Sequence, residues 1–181
     1  MFGTLANNSQ IIKLMEQHAI NITPFYEEKL RYVHYPLTPL SIFIKSENGS
    51  IKQVQSFKEN SEDYVVEPNG YIIIEVFERI IISVEGIVGK FVPSSNLIEA
   101  GFGLTAGRIE YPYGKEGEVI RFGLKNLLNF NNKIKMDLRL AYVEFFDLRG
   151  LMNLPFELTE REYRLFKTRL RRVDDDGPRY E

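Results

Sequence analysis

Chemistry has few places to reside in this chain. There is no cysteine and there are only two histidines, His18 and His34. Disulfides, thiolate metal sites and thiol nucleophiles are therefore excluded. His18 falls on an expected helix and His34 in a proline-rich loop, so a transition-metal site built by the protein is not expected. The adjacent serines Ser94 and Ser95 stand near the centre of Gly86–Asn126, a stretch that holds more than half of the chain's 13 glycines. They follow Pro93 rather than a G-x-S-x-G elbow, and no histidine is near in sequence to activate either one. Two serines in a glycine-rich turn suit an anion better, through hydroxyl and backbone N–H donors. The competing reading is a turn that satisfies its own backbone. Tyr111, Tyr113 and Phe122 offer rings on which a base can stack, although aromatics on strands more often serve a core. Arg161, Arg164, Lys167, Arg169, Arg171 and Arg172 form a basic run, offset by Glu160, Glu162 and Asp174–Asp176 as on a solvated helix face. Magnesium held through a ligand's phosphates needs only one or two carboxylates and stays open.

These residues must be positioned by a scaffold of modest size. With 181 residues, 44% of them hydrophobic and 27% charged, the composition is that of one ordinary globular domain. A net charge of -2 gives no general pull toward nucleic acid or anionic lipid. No basic region followed by an apolar run opens the chain, and no apolar run is long enough for a bilayer. The expectation is a cytoplasmic protein with no membrane partner, and nucleic acid is not an expected ligand.

In chain order, residues 8–19 read as a short amphipathic helix. Asn8 or Ser9 caps it, and Ile12, Met15 and Ala19 share a face. A brief strand and a proline break follow, then an apolar strand over Leu40–Ile44. Asn48-Gly49 marks a hairpin whose second arm is 51–57. Pro68-Asn69-Gly70 fits a type II turn, with Gly70 or Asn69 taking the positive φ. Residues 71–84 are β-branched and interrupted by Glu75, Glu78 and Arg79, which predicts two buried strands or one bent one. Lys133–Asp147 reads as one or two strands. A capping box at Thr159–Glu162 starts a helix running to about Arg172. Many short strands with a helix near each end predict an all-β barrel or jelly roll.

Taken together, these segments resemble the dCTP deaminase branch of the dUTPase superfamily. QIIKLMEQHAINITPFYEEKL is similar to that family's opening helix, short strand and I-x-P-F stretch. PNGYIIIEVFERIIIS is similar to P-G-x-x-x-x-x-T-x-E-x-I-x-L-P, with Glu78 on the family glutamate. GKFVPSSNLIEAGF corresponds to G-R-S-S-L-A-R-x-G at Ser94 and Ser95. LTAGRIEYPYGKEGEVIRFGLKN is similar to T-A-G-x-I-D-P-G-F-x-G-x-I-x-L-E-L-x-N, and LRLAYVEFF to the closing I-A-Q-L-x-F strand. The likeness covers roughly residues 8–147, in order. It implies a distorted β-barrel or jelly roll over 1–157, with a C-terminal helix and tail over 158–181. It further implies a homotrimer with a deoxynucleoside triphosphate and magnesium bound between subunits. Ser94, Ser95 and Asn96 would meet the phosphates. Tyr111 and Tyr113 would hold sugar and base, Tyr142 would lie beside them, and the C-terminal segment would close over the site.

The departures bear on activity. The L-E-L glutamate, general acid/base on the attacking water in the deaminases, falls on Gly123. The arginines flanking the serines become Pro93 and Ile98, and the glutamine of A-Q-L becomes Tyr142. The I-D aspartate becomes Glu110, one methylene longer, which is the candidate catalytic acid, with Glu116 and Glu118 as alternatives. Losing a positioned proton-transfer group costs a factor of about 10²–10⁴. Two expectations follow: a divergent dCTP deaminase or dUTP pyrophosphatase, or a trimer that has kept the fold and lost the chemistry.

Overall fold

A computed structural model describes residues 4–114 and 118–149. The expected C-terminal helix, and with it the 158–181 segment, lies outside the described residues. The elements are β1 (Thr4–Leu5), α1 (Asn8–Glu16), β2 (Ile20–Thr23), a single 3-10 turn (Glu27–Lys29), β3 (Tyr35–Leu37), β4 (Pro39–Lys45), β5 (Ile51–Ser56) and β6 (Tyr64–Val66). They continue with β7 (Tyr71–Val76), β8 (Arg79–Ile82), β9 (Ile87–Pro93), α2 (Ser95–Glu99), β10 (Phe102–Thr105), β11 (Arg108–Glu110), β12 (Arg121–Asn126), β13 (Asn132–Ile134) and β14 (Ala141–Asp147). The expectation of a mainly β fold with a short N-terminal helix holds.

Two five-stranded antiparallel sheets carry the architecture. One runs β1-β14-β9-β11, with β3 also pairing β14, and the other runs β10-β12-β7-β4-β5. Two ribbons, β13-β6 and β2-β8, flank them. Period-two patterning explains why the sheets meet. Ala141, Val143 and Phe145 of β14 and Ile87 and Phe91 of β9 are buried, as are Ile72 and Ile74 of β7 and Phe122 and Leu124 of β12. Phe91 and Phe122 join the sheets edge to face, with ring centroids 5.1 Å apart.

Local chemistry accounts for the turns. In the Asn48-Gly49 turn, Gly49 takes φ +83° and the Ser46 carbonyl accepts from its N–H at 2.9 Å. At Pro68-Asn69 it is Asn69, not Gly70, that takes the positive φ, at +59°. The 71–84 run is two strands in different sheets, broken at Phe77-Glu78. Glu78 is fully buried at the break, where it accepts from the Thr38 N–H at 2.9 Å and the Thr38 hydroxyl at 2.8 Å.

One expectation needs correction. The first helix is capped by Asn7, whose side chain accepts from the Gln10 N–H while the Gln10 side chain accepts from the Asn7 N–H. The helix buries Ile11 and Leu14, with Met15 partly buried beside them, rather than Ile12, Met15 and Ala19 as a set. Ala19 is buried, but beyond the helix end.

Candidate functional site

β9 is the strand around whose two ends the candidate residues gather. At its C-terminal end the chain turns at Pro93 into α2, a single short helix. Ser94 caps that helix. Its fully buried hydroxyl accepts from the Leu97 N–H at 3.0 Å and donates to the Arg139 carbonyl. Both capacities are therefore engaged within the chain, and the Ser94 side chain fastens α2 to the approach of β14. Ser95 and Asn96 are exposed in the first turn. The adjacent serines thus divide into a buried cap and an outward hydroxyl. Tyr142 lies one register step away, opposite Val92 and Pro36, with its ring 4.1 Å from that of His34. Burial holds the His34 imidazole below its ordinary pKa, with Glu144 opposing and Arg31 adding to the effect.

The other candidates gather at the opposite end of β9. Glu110 is opposite Val88 and faces outward beside Arg108, with an Arg108 Nε to Glu110 Oε1 distance of 2.5 Å. Both side chains are well exposed, so this pair contributes little to stability. Glu110 and Tyr111 edge a groove of about 270 Å³ together with Glu85, Ile87, Val88 and Leu148. Past Tyr111 the chain bends inward. Tyr113 is half-buried against the core and exchanges backbone hydrogen bonds with Ile82, at 2.9 and 3.3 Å. Burial raises the Tyr113 phenol pKa, Glu118 adds to the rise and Arg79 opposes it. Tyr113 therefore anchors the segment that follows β11, and Tyr111 is the ring it leaves exposed.

Gly114 makes that docking possible. It takes φ +82°, and a methyl group there would run into the Ile80 carbonyl oxygen. The left-handed conformation alone costs an L-residue about 1–2 kcal/mol. Gly114→Ala is expected to lower unfolding free energy by at least about 2 kcal/mol, since a backbone oxygen must also move. Urea melts check this, and a change within about 0.5 kcal/mol would mean that the hairpin docks in another way.

The two groups are far apart in one chain. Six residues of extended strand separate Val88 from Ser94, or about 20 Å. Ser95, Asn96 and Tyr142 are thus brought together, as are Glu110 and Tyr111, but the two sets are not. Among the described residues no group of three or more His, Cys, Asp or Glu side chains could hold a metal ion.

No family model and no curated protein matches the chain. Solved structures do. The 2'-deoxycytidine 5'-triphosphate deaminase from Agrobacterium tumefaciens superposes with a TM-score of 0.63 at 11% identity, over 81% of this chain and 47% of that one. This chain has the fold of the dUTPase superfamily. It spans about half the length of that deaminase. The dUTPase of Staphylococcus bacteriophage 80alpha with dUPNHPP gives a TM-score of 0.46 at 12% identity, over 70% of this chain and 80% of that one. The dUTPase of phage phi11 of S. aureus, described with a structural Mg(II) ion, gives 0.45 at 14% identity, over 70% and 88%.

Within this dUTPase-like fold, the outer face of the second sheet holds residues that local sequence reading missed. Gly123 is opposite Thr105 on β10 and Ile73 on β7. A methyl group at 123 would overlap the phenol oxygen of Tyr71, which lies over the glycine. One step along, Glu75 is buried between two arginines, 3.1 Å from Arg79 and 3.0 Å from Arg121. The Arg121 guanidinium also lies 4.5 Å from the centre of the Phe43 ring. The period-two pattern signalled that these side chains share a face, but not which of them touch. Among the described residues no helix is long and apolar enough to cross a membrane.

Proposed function

We propose that this chain is a divergent member of the dCTP deaminase branch that binds a pyrimidine deoxynucleoside triphosphate between subunits of a homotrimer. The observation that carries this reading is the separation along β9. A nucleotide triphosphate that meets both Ser95-Asn96 and Glu110-Tyr111 must take them from different copies of the chain. In this reading Ser95 and Asn96 of one subunit donate to phosphate oxygens, and buried Ser94 holds their turn in place. Tyr142 walls the same end. Glu110 and Tyr111 of a neighbouring subunit meet the sugar and base, and Tyr113 fixes the hairpin that presents them. With no protein-built cage among the described residues, magnesium would arrive on the triphosphate and supply neutralisation of its charge. If water is activated, Glu110 is the acid left to take its proton, once freed from Arg108.

A second reading, a trimer that binds or scaffolds without turnover, is favoured by Gly123. That position has no side chain, and the Tyr71 ring covers it. Both readings meet one experiment. Purified protein is titrated with dCTP and dUTP plus magnesium, products are followed by chromatography, and mass is measured by light scattering. Micromolar binding by a trimer supports the nucleotide reading, and turnover that is lost in Glu110→Gln assigns the acid. A monomer that binds neither nucleotide overturns it.

A further inference from the structure

A second groove opens where β3 passes into β4, and none of Ser95, Asn96, Glu110, Tyr111 or Tyr142 lines it. It holds about 300 Å³, and its walls include Leu40, Phe57, Phe77 and Met136. Phe57 is buried, Leu40 and Phe77 are half-buried, and Met136 is 48% exposed. Backbone pairing fixes these walls. The Phe57 N–H donates to the Leu40 carbonyl at 2.9 Å, and the Phe77 N–H donates to the Thr38 carbonyl at 3.0 Å. Thr38, which also lines the groove, is pinned by its N–H and hydroxyl to the buried Glu78. These main-chain groups are thus engaged, and the surface they frame is mainly apolar. The charged exception is Lys58. Its ammonium lies 5.3 Å from the centre of the Phe77 ring. Among the described residues it makes no ion pair, and no carboxylate lines the groove beside it.

We propose that this groove is a separate ligand site whose occupant is a small aromatic carboxylate. Small-molecule sites are pre-formed hollows with mostly apolar walls and a few polar groups that fix orientation. Here the rings would rest against Phe57, Phe77 and Met136, and the carboxylate would meet Lys58. A cavity of about 150 Å³ lined by aliphatic and aromatic side chains takes up benzene. This groove therefore has room for two fused rings, with the acid left at its mouth. A nucleoside triphosphate does not fit the same chemistry, since it would set several anionic oxygens against apolar walls with one cation to meet them. Binding here needs neither a nucleotide nor a trimer.

The chain has no tryptophan, so the fluorescence of a naphthalene probe is read without an indole background. 1-Naphthaleneacetate and its neutral amide are titrated in parallel into the full chain at two protein concentrations, with mass measured by light scattering. The acid is expected to bind with a Kd of about 0.1–1 mM, as suits a ligand of this size. The amide is expected to bind about 2–5-fold more weakly, the worth of an exposed ion pair. Lys58→Met keeps an apolar stem beside Phe77 and removes the charge, so acid and amide bind alike. Met136→Glu alters an exposed side chain and sets a like charge in the groove, so the acid is weakened by at least about tenfold. A thermal melt checks that this variant is folded, and Lys58→Met decides if it is not. Acid that binds no tighter than the amide overturns the proposal, as does acid binding that is unchanged in Met136→Glu. So does the failure of both probes to bind below about 10 mM. Probe binding that disappears as chains associate gives the groove to a second copy and overturns it as well.

Discussion

Asn126→Asp is expected to be among the most damaging single-atom changes in this chain, lowering unfolding free energy by about 3–5 kcal/mol near neutral pH. Asn126 ends β12 and is fully buried. Its amide nitrogen donates toward three carbonyls, those of Val66 at 3.1 Å, Glu67 at 3.0 Å and Phe130 at 2.9 Å. Its amide oxygen accepts from the Leu128 N–H at 3.0 Å. One side chain thus ties β12 to the β6 turn and closes the loop that leads to β13. Aspartate keeps the acceptor and removes every donor. A buried charge then faces three carbonyl oxygens that have lost the amide donor, although that of Glu67 keeps the Gly70 N–H. An unsatisfied buried polar group costs about 1–3 kcal/mol, and more beside a charge.

The sign with pH is set by the same geometry. Burial and the carbonyl oxygens raise the carboxyl pKa of the variant above its unfolded value. Between those two values the native state binds more protons than the unfolded state, so stability rises as pH falls. The deficit of Asn126→Asp therefore narrows on acidification toward about pH 4, the ordinary carboxylate value. Asn126→Ala removes the same bonds without a charge, so its deficit is smaller at pH 7 and does not narrow in that way. Urea unfolding of both variants at pH 7 and pH 5 separates the cases. An aspartate variant more stable than the alanine variant at pH 7 would sink this account.

Residues whose role is local were legible in the sequence, and residues whose partners are distant were not. Asn48-Gly49 and Pro68-Asn69 act through their own φ angles, so both turns were readable. The β-branched run at 71–84 was readable as strand for the same reason. The order of the glycine-rich, Ser-Ser and hairpin segments was enough to name the fold. The first helix was found but its face was misjudged, because Ile11, Leu14 and Met15 fit helical spacing as well as Ile12, Met15 and Ala19 do, and only the packing of the sheets decides which stripe meets the core. For Ser94 the sequence left two readings, a donor to an anion and a turn that satisfies its own backbone. Its hydroxyl belongs to Leu97 and to the carbonyl of Arg139, which is 45 residues away. Tyr71 over Gly123 depends on a diagonal between strands 52 positions apart in the chain, and no local pattern marks it. The two ends of β9 explain why the candidate site was only half legible. Residue types single out the candidates, but only register places them at opposite ends of one strand.

Glu78 gives the second large effect, this time through a carboxyl that the wild-type protein already buries. The sequence offers it as one polar interruption in an apolar run, yet it is fully buried. Burial raises its pKa, and the hydrogen bonds from the Thr38 N–H and hydroxyl oppose that rise without cancelling it. The folded pKa therefore lies above the unfolded value. In that window the native state holds a proton that the unfolded state has released, so stability falls as pH rises through it. Glu78→Gln removes the titration and keeps the contacts. Its carbonyl accepts from the Thr38 N–H, and its amide donates to the Thr38 hydroxyl oxygen, which rotates to accept. The glutamine variant is expected to match the wild type near pH 4 and to be at least as stable at pH 8. Glu78→Ala leaves the Thr38 N–H unpaired and opens a cavity between β3 and β8. It is expected to lose about 3 kcal/mol or more, through the unsatisfied donor and the void together. Denaturant melts of the three proteins from pH 4 to pH 8 decide the matter. A glutamine variant whose deficit grows toward pH 8 would mean that the ionised carboxylate, not the neutral acid, is the form that Thr38 and the surrounding core favour.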